Sequence, residues 1–85
     1  MTRFYISPKR LDTWLRQNKA ETLECVEGCL LDSFLVGTKR GYAAIYEHYL
    51  NPWSSDYFVE FGTTDETEVI KRWEEFKDLI EKGIA

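Results

Sequence analysis

The stretch "GYAAIYEHYLNPWSSDYFVEFG", residues 41–62, decides the fold that the sequence predicts. It holds seven of the chain's thirteen aromatic residues and its only histidine, His48. The dipeptide "NP" at residues 51 and 52 is typical of a turn, and both flanks are rich in side chains that favour strands. We therefore predict strands over 42–50 and 56–61. Residues 42–50 also fit a helical stripe, but their aromatic content and the preceding glycine loop favour a strand.

Two more strands are predicted on the N-terminal side of this pair, over residues 22–27 and 29–36. The loop "GTKRG" (37–41) has a glycine at each end, which is typical of a five-residue hairpin connection. Successive strands joined by short loops form an antiparallel meander. The sequence thus predicts a meander of three or four strands.

Two amphipathic segments flank the meander. Residues 8–19 begin with Ser7 as a helix cap and Pro8 at the first helical position. Residues 65–82 carry an apolar stripe at helical spacing and end at Gly83. The stripes of the two predicted helices are Leu11, Trp14 and Leu15 in the first, and Val69, Trp73, Phe76 and Ile80 in the second.

These elements predict one α+β domain over residues 1–85, ordered helix, meander, helix. Small antiparallel sheets commonly have one face packed on the core and the other exposed to solvent. We therefore expect both helices on the same face. Side chains alternate along a strand, so Ala43, Ile45, Val59 and Phe61 are assigned to the covered face. The opposite face then presents aromatic side chains to solvent.

Charge is distributed unevenly along the chain. Residues 1–20 carry a net charge of +4 and residues 21–85 a net charge of −8, giving −4 in total. No apolar run is long enough to cross a bilayer, and the first residues lack the apolar core of a secretory signal. We therefore expect a cytoplasmic protein without membrane contact.

No catalytic, cofactor or metal motif is apparent. His48 has no nucleophile or orienting group at a recognisable spacing. Cys25, Cys29 and His48 supply at most three soft ligands, whereas a structural zinc site needs about four. The expectation is therefore a protein that is not an enzyme and binds neither cofactor nor metal.

The remaining features predict a small protein-interaction or regulatory module. One form of it is an acidic inhibitor that blocks a basic, nucleic-acid-binding protein; a homodimer is the other partner considered. Aromatic anchors and acidic steering groups are typical of such interfaces. The predicted contact residues are Tyr42, Tyr46, His48, Phe58, Glu60, Asp65, Glu66 and Glu68.

The alternative function is nucleic-acid binding. It would use the basic N-terminal helix, the hairpin tip and exposed aromatic side chains, which can stack on bases. The predicted contact residues for this alternative are Lys9, Arg10, Lys39 and Arg40.

Overall fold

The computed structural model describes residues 2–28, 31–51, 54–62 and 66–84. It is a small α+β fold with a five-stranded antiparallel sheet and two helices. The elements are β1 (Thr2–Ile6), α1 (Pro8–Gln17), β2 (Glu21–Glu27), β3 (Leu31–Thr38), β4 (Gly41–Asn51), β5 (Ser54–Phe61) and α2 (Glu66–Glu81). Residues 42–50 are strand, as predicted. The predicted count of three or four strands is wrong because β1 joins the sheet.

The strand order is β1-β5-β4-β3-β2, and every neighbouring pair is antiparallel. β1 and β2 therefore form opposite edges of the sheet and point the same way. Strands that run parallel need a long crossover connection, which here contains α1. The β1–β5 pairing places Arg3 opposite Glu60, a contact between residues 57 positions apart in sequence that no local pattern indicates.

The ends of α1 are fixed by side chains. Ser7 caps its first turn, where the Ser7 hydroxyl accepts a hydrogen bond from the Arg10 backbone N–H at 3.3 Å. At the other end the buried Asn18 donates to the Trp14 carbonyl at 2.9 Å and accepts from the Arg40 guanidinium. Lys19, with a φ of 50°, then turns the chain away in the left-handed region. Asn18 therefore ties α1 to the loop between β3 and β4.

α1 packs against one face of the sheet. Leu11 is buried there with Ile45 and Val59, and Trp14 packs edge-on against Phe61 with ring centroids 5.8 Å apart. The sheet residues beneath α1 occupy one set of alternating positions, as pleating requires. The buried members of this cluster are Leu11, Val36, Ala43, Ile45, Val59 and Phe61.

α2 packs against the opposite face. Trp73, only 1 % exposed, lies with Val69 over Ala44 and Tyr46. These sheet residues occupy the positions between those beneath α1. The buried members of this second cluster are Leu35, Ala44, Tyr46, Val69 and Trp73.

The prediction that both helices share one face is therefore wrong. The assignment of strand residues to faces is correct, since residues 43 and 45 lie beneath α1 while residues 44 and 46 lie on the other side. Both faces of β3 and β4 carry apolar side chains, so each face needs a cover to exclude water. One helix on each face meets that need.

Candidate functional site

Three of the predicted contact residues meet in one cleft. Tyr46, His48 and Phe58 line a cleft of about 200 Å³ between α2 and the β1 side of the sheet, here called the aromatic cleft. Its other lining residues are Tyr5, Leu31, Asp56, Arg72 and Phe76. Because Asp56 and Arg72 both line it, the cleft shows no preference for one sign of charge.

The aromatic cleft is less open than predicted. Tyr46 is only 4 % exposed, and its ring lies 4.8 Å from that of Phe76. The prediction that Tyr46 lies on an uncovered surface is wrong, because α2 covers it. The most exposed aromatic side chain of the cleft is Tyr5, at 76 %, whose ring lies 5.0 Å from that of Phe58. The sequence analysis did not select Tyr5.

Glu60 is buried behind this cleft. Its Oε2 atom accepts hydrogen bonds from Arg3 Nε at 2.8 Å and from Arg72 Nε at 2.7 Å. Both contacts are ion pairs, and the Glu60 side chain is only 1 % exposed. The prediction that Glu60 faces solvent and steers a partner is wrong, because Glu60 instead joins β1, β5 and α2 through two arginines.

The buried carboxylate affects its neighbour Tyr46. Burial of the hydroxyl, reinforced by the negative charge of Glu60, raises the pKa of Tyr46 above its usual value. Both effects disfavour the phenolate. Tyr46 is therefore a neutral core residue at physiological pH.

The other predicted contact residues do not join the aromatic cleft. Tyr42 is half-buried and lies with Leu23 and Gly37 at a separate open site. Glu68 is exposed on α2, and Glu66 is the first residue of that helix. Asp65 lies outside the described residues. The predicted set therefore does not form one surface.

The four basic residues of the alternative site form two pairs, one near each end of α1. Lys9 and Arg10 are in its first turn. Lys39 lies near its last turn, because its backbone N–H donates to the Asn18 carbonyl at 3.0 Å. A helix of 10 residues separates the two pairs by about 15 Å. Arg40 also has a structural role, since its guanidinium stacks 5.2 Å from the Phe61 ring centre.

A second cleft opens beside α1 and was not predicted. It has a volume of about 210 Å³ and is here called the apolar cleft. α1 reaches it with Leu11 and Leu15, and the sheet contributes mainly apolar side chains. The sheet residues that line it are Thr22, Phe34, Val36, Ile45 and Tyr57.

Three carboxylates lie side by side at one end of this cleft. Glu27 pairs with Asp32, and Asp32 pairs with Glu47, so the three acids span β2, β3 and β4 in a single row. We call them the carboxylate row. The same row continues through Tyr57 and Ile6 of the remaining strands and contains no basic residue. Directly opposed side chains share a face, and Tyr57 and Ile6 pack against the α1 cluster.

Two nearby groups respond to the carboxylate row. Desolvation, followed by the charges of Glu27 and Asp32, raises the pKa of the Cys25 thiol. Burial and a hydrogen bond of 3.0 Å, which the Tyr57 hydroxyl donates to Glu47, raise the pKa of Tyr57. Both shifts disfavour an additional negative charge. The row therefore creates a negative electrostatic field beside an apolar cleft.

The sequence contains one signal for the apolar cleft. The run "FLV" at residues 34–36 is apolar at consecutive positions, which indicates a strand whose two faces are both apolar. Such a strand predicts a second apolar surface. The register that aligns residues 27, 32 and 47 comes from the paired strands and could not be inferred from spacing.

Within residues 2–28, 31–51, 54–62 and 66–84, no cluster of three or more histidine, cysteine or acidic side chains is arranged to hold a metal ion. Neither described helix has the length and apolarity to span a membrane. No protein-family model matches the chain, and no curated protein or solved structure is significantly similar to it.

Proposed function

We propose that this chain is a non-enzymatic protein-interaction module that binds a basic partner protein through the apolar cleft and the carboxylate row. The observation that carries the proposal is the position of the three acids, Glu27, Asp32 and Glu47, at one end of an open apolar cleft. Like charges directly opposed on a sheet are destabilising. A cationic partner would contact the exposed Glu27 and the half-buried Glu47, whereas Asp32 is buried and accepts a hydrogen bond from the Gly28 backbone N–H at 3.2 Å.

The two parts of this surface have different roles in binding. The apolar cleft, with Phe34 half-buried in its wall, accepts an apolar side chain, since buried apolar anchors supply much of the energy of an interface. The carboxylates attract a basic partner over a longer range and exclude acidic proteins.

A regulatory role follows from the charge of the partner. Proteins that bind nucleic acids do so through basic surfaces. A module that covers such a surface with carboxylates would compete with the phosphate groups of the nucleic acid. We therefore include inhibition of a nucleic-acid-binding protein in the proposal.

Site-specific photo-crosslinking in the native host tests the proposal. A photoactivatable residue replaces Thr22, which lines the apolar cleft, and a control variant carries it at Glu75, which is exposed on α2. We expect the Thr22 variant to form a crosslink to a basic protein that the Glu75 variant does not form. Adding Glu27→Gln and Glu47→Gln should reduce the yield of that crosslink, as should added salt.

Two results would contradict the proposal. Equal crosslinking from both positions would mean that the cleft does not direct binding. A yield that neither neutralisation nor salt reduces would mean that the carboxylate row does not contribute. Glutamine is used because it preserves the hydrogen-bond acceptor that Tyr57 requires at position 47.

Nucleic-acid binding is the second candidate, favoured by the exposed basic residues on and beside α1. Lys9, Arg10, Arg16, Lys19, Lys39 and Arg40 are all exposed. Within α1 the exposed acid Asp12 pairs with Arg16 at 3.0 Å, which reduces the net charge of the surface. Salt-dependent binding of a labelled oligonucleotide that weakens in a Lys9→Gln, Lys39→Gln variant would support this function.

A further inference from the structure

β2 is an edge strand with one open side. Within the described part of the chain it pairs with β3 alone, at the end of the strand order, so no described strand lies beside its outer backbone donors and acceptors. Open edges of this kind can pair with a strand from another protein. The side chains of β2 are almost all exposed. The backbone of β2 is therefore accessible.

The edge is regular where it adjoins the carboxylate row. The register shift in β2 lies between Thr22 and Glu24, and the next four residues, Glu24 to Glu27, pair in sequence with β3. This segment contains neither proline nor glycine, either of which would interrupt strand addition. Four regular residues offer a short but intact template.

The two edges of the sheet differ in charge. β2 carries Glu21, Glu24 and Glu27 without a basic residue, and Glu24 is paired with Lys77. The charged residue of β1 is Arg3, which is paired with Glu60. A basic strand is therefore attracted to β2 more than to β1. Pairing of β2 with β2 of a second copy would bring glutamates together, which disfavours that homodimer.

The added strand would also meet the site already described. Cys25 pairs with Phe34, a wall of the apolar cleft, and Glu27 pairs with Asp32 of the carboxylate row. Side chains two residues apart on a strand point to the same face. A strand beside β2 would therefore place one side chain near the apolar cleft and its i+2 neighbour near the acids.

We infer that the partner binds as a sixth strand at the outer edge of β2. Its recognition segment is extended and basic, with an apolar residue and a lysine or arginine two positions apart. This inference rests on the proposed function, because it assigns a binding mode to the same partner. Backbone hydrogen bonds hold the segment, and the alternating side chains select it.

The test uses the full chain labelled with ¹⁵N and a capped peptide, Val-Thr-Lys-Thr-Val-Thr-Lys. Two N-methylated versions of the peptide serve as controls. Each lacks the backbone N–H donors along one of the two edges of the extended peptide, and both keep every side chain. We expect the unmethylated peptide to slow amide exchange within residues 24–27 about tenfold or more, because edge amides that bonded to water become paired. The amides of β1 should not change. One methylated version should lose binding and the other retain it.

The outcomes separate the binding mode from the function. If both methylated peptides bind as well as the parent and amide exchange in β2 is unchanged, the sixth-strand inference is wrong while the proposed function stands. Absence of saturable binding, or protection of β1 in place of β2, also overturns the inference. The proposed function itself is decided separately by the crosslinks from Thr22. A peptide with glutamate in place of lysine is the charge control and should not bind.

Discussion

The two faces of the sheet are covered in different ways. α2, with 16 residues, has the aromatic cleft of about 200 Å³ beside it and buries Glu60 and Tyr46. α1, with 10 residues, has the apolar cleft of about 210 Å³ beside it, and Asn18 and Asp32 are buried on its side of the sheet. The α2 face holds its buried carboxylate between two arginines, whereas the α1 face places three carboxylates in one row.

This difference indicates a division between stability and binding. A buried carboxylate that is paired on two sides constrains the elements around it, and Glu60 joins β1, β5 and α2 in this way. In the carboxylate row the Gly28 backbone N–H donates to Asp32 at 3.2 Å and the Tyr57 hydroxyl donates to Glu47 at 3.0 Å, but the opposed charges of the row cost stability. We therefore assign the main stabilising role to the α2 face and the binding role to the α1 face.

The largest expected difference between the faces comes from their tryptophans. The Trp73 side chain lies between α2 and the sheet and is 1 % exposed. Replacing a buried tryptophan by alanine lowers the free energy of unfolding by roughly 3–5 kcal/mol. A small domain has about 5 kcal/mol in total, so the Trp73→Ala variant should be largely unfolded. Trp14→Ala on the α1 face removes a half-buried ring and should cost about half as much.

Urea denaturation of both tryptophan variants, monitored by circular dichroism, measures the difference between their free energies of unfolding. Equal losses would mean that α1 is as important to the core as α2, and the comparison of the faces would fail. Trp53, which the sequence analysis would place in an exposed turn, lies outside the described residues.

These tryptophans also show how much of the fold could be predicted from sequence. Helical spacing identified the stripe that contains Trp73, and period-two alternation assigned residues 43–46 to the correct faces. The location of α2 could not be predicted, because it depends on β1 pairing with β5, and these two strands are far apart in sequence. Propensity scarcely identifies an edge strand of five residues. Once β1 is in place, the crossover through α1 occupies one face and α2 takes the other.

The candidate site was predicted less well than the fold. Tyr46, His48 and Phe58 were correctly placed on one face, and they do line one cleft. Their exposure was wrong for Tyr46 because exposure depends on which helix lies above. The acids of the carboxylate row are far apart in sequence, at residues 27, 32 and 47, and only strand register brings them together.

Neutralising the buried carboxylate is the next most severe change. Glu60→Gln removes the charge that balances Arg3 and Arg72. Because both arginine side chains are partly exposed, at 47 % and 35 %, we expect a loss of about 2 kcal/mol, in the range of a hydrogen bond to a charged group. Glu24→Gln is the matched control, because Glu24 forms an exposed ion pair with Lys77 at 3.2 Å, and such pairs contribute little. Thermal melting at neutral pH compares the two. If Glu60→Gln melts close to the wild type, Glu60 does not stabilise the α2 face.

Alkaline pH should weaken the α2 face more than the α1 face. The pKa of Tyr46 is raised in the folded protein above the usual value of 10.0, so the unfolded chain loses this proton first. Stability is therefore fully present below about pH 10 and falls as pH rises further, by up to about 1.4 kcal/mol per pH unit for one group. Tyr46→Phe should remove the larger part of this dependence.

Tyr57→Phe is the control on the α1 face. The pKa of Tyr57 is also raised, by burial and by its hydrogen bond to Glu47, but this side chain is only half-buried. Tyr57→Phe should therefore reduce the loss of stability at alkaline pH by less than Tyr46→Phe does. Urea denaturation between pH 8 and pH 11 measures both slopes, and a larger effect of Tyr57→Phe would reverse the predicted order of the two faces.

The smallest expected effect has the opposite sign and bears most directly on function. Glu27 lies directly opposite Asp32, so Glu27→Gln removes one repulsion from the carboxylate row. Because Glu27 is exposed and solvent screens its charge, we expect a gain of only about 0.2–0.5 kcal/mol. Binding of a basic partner should weaken in the same variant. Higher stability together with weaker binding is what we expect when a residue serves binding at some cost in stability.

Glu21→Gln provides the matched control for this last change. Glu21 lies on the same strand, but its partner in the register is Gly37, which carries no charge. Its neutralisation removes the same unit of charge without relieving an opposed pair, so the melting temperature should stay unchanged. A loss of stability in Glu27→Gln would show that this carboxylate supports the fold, and the division of roles between the two faces would then be wrong. Equal gains in stability in Glu27→Gln and Glu21→Gln would mean that the lower net charge stabilises the protein. Repulsion within the carboxylate row would then make no contribution.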